Sequence, residues 1–174
     1  SWKKTTMRPC LTLAAAVAAM TLFGGCSQTA PYVYRYVPGQ TATVQNGYAV
    51  APEAAPPVVH EAIAAGNRIA GLPYQYGAGH TRGLCSAYDC SGAASYVLCE
   101  AGLLDEPTTS RAFRRYGSGG PGRWISVYAR KGHVFLVVAG LRFDTGYGSG
   151  ATGPRWSTRG RPAKGAVIRH PSGL

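Results

Sequence analysis

The run His133-Val-Phe-Leu-Val-Val-Ala139 is apolar at odd and even positions alike. Side chains of a strand alternate between the two faces of a sheet, so a strand apolar on both must be central and covered on both sides. Trp124–Ala129, Leu141–Thr145 and Ala166–His170 carry β-branched and aromatic residues between glycines and read as its neighbours. Ala139-Gly-Leu-Arg142 is compatible with a tight hairpin, which would lay Leu141–Thr145 antiparallel to the central strand. Helices are expected before the sheet. Val59–Ala70 places Val59, Ala62, Ile63 and Ile69 near one face and stops before Pro73. Ser91–Ala101 is closed by Gly102, and a short helix is expected over Ser110–Arg115 with Ser110 as its cap. The glycine-rich run Gly117–Gly122 reads as loop. Helices followed by an antiparallel sheet define an α+β fold.

With 174 residues the chain is long enough for one domain with a core plus extensions. Lys3, Lys4 and Arg8 precede the apolar stretch Leu11–Phe23, and Gly24-Gly25-Cys26 follows. A basic start, a short apolar stretch and small residues before a cut site describe a secretory signal over residues 1–25, with Met7 as the natural start. The stretch is shorter than the roughly 20 residues of a membrane span. The cysteine makes it resemble a bacterial lipoprotein signal, which implies an exported protein of the cell envelope, attached to a lipid membrane through an acylated Cys26. Residues 26–57, rich in Ala and Pro, show no helical or strand period and read as a tether, although Tyr32, Tyr34 and Tyr36 offer a means of docking. The folded domain is expected over 58–174, as a monomer.

The formal net charge is +11. A basic surface attracts polyanions, or simply solvates the protein. An exported protein rarely meets nucleic acid, so carboxylate-rich peptidoglycan or anionic lipid headgroups are the expected partners. Of five cysteines, Cys10 falls within the signal and Cys26 is taken up by acylation, which leaves Cys85, Cys90 and Cys99. An odd number leaves at least one thiol free in an oxidising compartment. Cys85 and Cys99 can bridge with Cys90 free, or Cys99 can be an ordinary buried helix residue.

Asp89-Cys-Ser-Gly92 places Cys90 at a loop-to-helix junction, and His133 heads the central strand. A thiol nucleophile acts as thiolate and is helped by a helix N-terminus, an imidazole, or both. First-turn amides can hold a developing oxyanion, while the imidazole protonates the leaving amine. A third group should orient that imidazole. Asp144 is favoured because the hairpin returns it toward His133, and His170 is the rival. Two other readings compete. His80, Cys85, Cys90 and His133 could gather around zinc, but no close Cys-x-x-Cys pair is present, and no metal or other cofactor is expected. Ser91 or Ser95 as nucleophile lacks a Gly-x-Ser-x-Gly elbow.

Leu72-Pro-Tyr-Gln-Tyr-Gly77, then Asp89-Cys-Ser-Gly92 opening a helix, then Gly132-His-Val134 opening a strand, resembles the NlpC-type cell-wall peptidases over about Val59 to Thr145. The resemblance implies a compact papain-like fold and a Cys-His-polar triad that cleaves peptidoglycan stem peptides, commonly between D-glutamate and the following diamino acid. It carries Cys90 as nucleophile and His133 as base, with Asp89, Ser91 and Tyr76 lining the pocket for the peptide's amino end. The chain departs from the family's pattern in three places. Gly122-Arg-Trp-Ile-Ser-Val-Tyr128 stands where a Pro-Gly-Asp turn is usual, Phe135 where a small residue is usual, and Asp144-Thr145 where the third residue is most often histidine. The expected function is a peptidoglycan endopeptidase. The alternatives are a catalytically silent wall-binding lipoprotein of the same fold, or a thiol amidase or acyltransferase on another substrate.

Overall fold

Ala139 and Gly140 both have positive φ, 45° and 74°. This is the conformation that a two-residue hairpin turn requires to match the twist of its strands. The turn joins β5 (His133–Val138) to β6 (Leu141–Asp144), with Val138 opposite Leu141 and Leu136 opposite Phe143. The structure, a computed structural model, describes residues 29–146 and 152–174. The expected signal and Cys26 lie outside them, and no described helix is long and apolar enough to cross a membrane.

Before the sheet come a small hairpin, β1 (Thr43–Gln45) and β2 (Tyr48–Val50), then α1 (Pro57–Ile69), α2 (Cys90–Glu100) and the short α3 (Ser110–Phe113). The remaining strands are β3 (Ser118–Gly119), β4 (Ile125–Arg130), β7 (Arg155–Ser157) and β8 (Val167–His170). The larger sheet is antiparallel in the order β3-β8-β4-β5-β6-β7. The α+β expectation therefore holds, with helices first and a six-stranded antiparallel sheet after them.

β5 is an interior strand covered on both faces. Val134, Leu136 and Val138 are buried in the core that also takes Val59, Ile63 and Ile69 from α1 and Val97 and Leu98 from α2. On the other face Phe135 stacks on Tyr128 with centroids 4.7 Å apart and meets Tyr32 edge-on. The bulky residue two places after His133 is thus housed in an aromatic layer beneath the imidazole.

Two expectations change. Residues 29–56, read as tether, lie along the domain: Tyr32 exchanges backbone hydrogen bonds with Arg161, and its hydroxyl donates to the Gly140 carbonyl. Asn67 of α1 secures the β1–β2 hairpin by accepting from Ala49 N and donating to Ala49 O. The docking partners are distant in sequence, which is why local composition reads as linker. Within the expected loop Gly117–Gly122, Ser118–Gly119 forms an edge strand, because Arg169 and His170 of β8 offer it a register. Arg155–Ser157 completes the opposite edge, and Trp156 is buried against Phe143.

Candidate active site

Cys90 is the first residue of α2, and Asp89 is its N-cap. Asp89 Oδ1 accepts from Gly92 N at 2.7 Å and from Ser91 Oγ at 3.1 Å, while Oδ2 accepts from Gly77 N at 3.0 Å. One carboxylate therefore caps the helix and ties it to the Tyr74–Gly79 turn. Gly92 is required by the same approach, since a Cβ there would lie 2.2 Å from the Ala78 carbonyl oxygen. Asp89 uses the amides of Gly92 and, through its carbonyl, Ala93. The amides of Cys90 and Ser91 are left as first-turn donors at the positive end of the helix.

The β5–β6 register sets Arg142 opposite Val137, so Asp144, two residues on, lies on the face of the sheet that carries Phe135 and His133. His133 Nε2 lies 2.8 Å from Asp144 Oδ1. With Nε2–H donated to the carboxylate, Nδ1 is the ring nitrogen left to face Cys90, whose side chain is close enough to act on the imidazole. Burial pushes the imidazole's pKa down, but the hydrogen bond it donates to Asp144, then the neighbouring Cys90 side chain, and the charges of both outweigh it. The net result is an imidazole raised from 6.5 to about 9. Cys90, His133 and Asp144 are therefore brought together. His170 is not in this group: its Nδ1 lies 3.0 Å from the Gly120 carbonyl, and it serves the β3–β8 edge.

Asp144 has three further partners, none of them assigned from the sequence. Its Oδ2 is paired with Arg142 Nη1 at 2.9 Å and Arg161 Nε at 3.1 Å, and Oδ1 also accepts from Thr145 N at 2.8 Å. Arg142 could have been found, since residues two apart on a strand share a face. Arg161 comes from beyond β7 and has no local signal. Its Nη2 sits 2.9 Å from His133 Nε2. That nitrogen can donate to Asp144 or accept from Arg161, not both, so Asp144 and Arg161 favour opposite tautomers of the ring.

The cleft above Cys90, about 350 Å³, is lined by Tyr74, Tyr76, Gly77, His80, Asp89, Ser91, Thr109, Ser110 and Gly132. Tyr76 is 88% exposed there. The Tyr74 phenol is raised above its usual pKa, first by burial and then by the neighbouring Cys90 and Asp89. Asp89, by contrast, is 6% exposed, and His80 Nε2 lies 3.1 and 3.2 Å from its two oxygens. With its carboxylate taken up by its own chain, Asp89 positions Ser91 and His80, which face the cleft. His80, which the sequence offers as a zinc ligand, partners Asp89.

Cys85, Cys90 and Cys99 are all free thiols, so the Cys85–Cys99 bridge is not formed. The Cys85 sulfur lies 3.2 Å from Thr81 Oγ1. The Cys99 thiol is raised above its usual pKa, mainly by burial.

No protein-family model matches this chain, and no curated protein matches it.

Proposed function

We propose that this protein is a thiol peptidase that hydrolyses amide bonds in peptidoglycan stem peptides, between D-glutamate and the following diamino acid. The observation that carries the reading is the chain of contacts from the Cys90 side chain through His133 to Asp144, opening on a cleft at the start of α2. The Cys90 thiolate attacks the amide carbonyl carbon, and the oxyanion is held by the amides of Cys90 and Ser91. As the C–N bond breaks, imidazolium His133 gives its Nδ1 proton to the leaving amine. Water then attacks the thioester while His133 takes its proton. The C–S bond breaks, releasing the acid and restoring the thiolate. Asp144 holds the ring by Nε2, and Tyr76 and Ser91 contact the amino end of the peptide.

Export and anchoring through an acylated Cys26 fit this substrate, which lies outside the cytoplasm. The reading is tested by alkylating the full chain with limiting iodoacetamide and mapping the adducts. Cys90 should label well before Cys85 and Cys99, and His133→Gln should abolish that preference. Equal, slow labelling of all three thiols would instead favour a wall-binding module with no catalysis.

A further inference from the structure

A second cavity, about 530 Å³ and lined by Thr109, Arg111, Ala112, Arg114 and Arg115, lies beside the Cys90 cleft. Thr109 lines both, and Ser110 of the cleft is the residue before Arg111, so the two are neighbours that meet at Thr109. All three arginines are exposed, and none is in an ion pair among the described residues. Nearby Glu106 is already bound to Arg82.

The arginine wall is held at a fixed place relative to the nucleophile. Ser95, on the same helix as Cys90, accepts from Thr108 N at 2.9 Å and donates to Thr108 O at 3.2 Å. Thr109 Oγ1 then caps α3 at Ala112 N, and fully buried Phe113 pins the helix to the core. Tyr116 Oη donates to the Leu103 carbonyl on the far side. Three uncompensated guanidiniums on so well anchored a turn match a ligand bearing carboxylates, which guanidinium binds in a planar, two-point geometry.

We infer that Arg111, Arg114 and Arg115 form a carboxylate-binding subsite for the arm of the substrate that leaves the Cys90 cleft across Thr109. This rests on the hydrolase reading and adds the substrate's required charge. The test compares a stem peptide carrying free carboxylates with a twin in which they are carboxamides, using the full chain and its Arg111→Gln/Arg114→Gln/Arg115→Gln variant. For the free acid, KM should rise at least about tenfold in the variant while kcat holds, as expected for losing three exposed charge contacts. The glutamine variant should barely alter the carboxamide twin, and an Arg111→Lys/Arg114→Lys/Arg115→Lys variant, which keeps the charge without the two-point geometry, should restore part of the loss. Added salt should raise KM for the acid in the wild type and have little effect in the glutamine variant.

An unchanged KM for the acid, or an equal rise for both peptides, overturns the subsite. So does a variant that loses only its binding to anionic lipid vesicles, which would make the arginines a membrane contact. If the wild type cleaves neither peptide, the hydrolase reading fails. Binding of the same two peptides to the chain then decides the subsite on its own: preference for the acid, lost in the glutamine variant, upholds it.

Discussion

His133 makes the stability of this protein depend on pH in a defined direction. Its pKa rises from 6.5 to about 9 in the folded chain, because Asp144 and Cys90 together overcome the opposing effect of burial. A folded value above the unfolded one means the contribution is fully present below about 6.5 and is lost as pH rises through about 9. A change of that size corresponds to about 3 kcal/mol of folding stability. The perturbation is His133→Gln, which can still donate to Asp144 but does not titrate. Both proteins are unfolded in urea at about pH 6 and about pH 10, and the variant's pH response is subtracted to cancel other groups. The wild type should lose about 3 kcal/mol more than the variant over that interval. Repeating the comparison in a Cys90→Ala background should shrink the difference without removing it, since Asp144 remains. Equal pH responses of wild type and variant would refute the raised imidazole, and with it the contacts that raise it.

In the proposed reaction the same imidazolium protonates the leaving amine, so kcat/KM should fall as pH rises through about 9, measured on a stem peptide. Gly92→Ala drives a Cβ into the Ala78 carbonyl at 2.2 Å and should cost about 3 kcal/mol or more, or prevent folding, as read by thermal unfolding. Asp89→Ala removes the cap of α2 together with the Gly77 and His80 contacts; about 2 kcal/mol of stability should be lost, with Cys90 labelling less selectively. Arg161→Gln takes one cation from beside the His133 ring, so the ring pKa, followed by NMR, should rise further.

The sequence was most readable where the structure is local. Asp89-Cys-Ser-Gly92 announces a helix start because a carboxylate cap and a close-approach glycine act within a few residues of each other. The helix starts one residue before the expected Ser91, at Cys90 with Asp89 as its cap, just as Thr109 rather than Ser110 caps α3. Asp144 was found through the hairpin because the two-residue turn at Ala139-Gly140 fixes register, and register fixes face. Arg161 and Tyr32 were beyond reach. Each depends on a pairing between chain segments more than a hundred residues apart, namely the Tyr32–Arg161 bridge and the Tyr32 hydroxyl on Gly140 O. No local period reports such contacts, so residues 29–56 read as tether and the half-buried Arg161 guanidinium as part of a solvated basic surface.

Digestion of purified peptidoglycan sacculi by the full chain, beside its Cys90→Ala variant, tests the central claim most directly. Mass spectrometry should find new stem-peptide fragments ending at D-glutamate with the wild type and none with the variant. Sacculi that are bound by both proteins and cut by neither would contradict a peptidase and leave a wall-binding module with the shape of one.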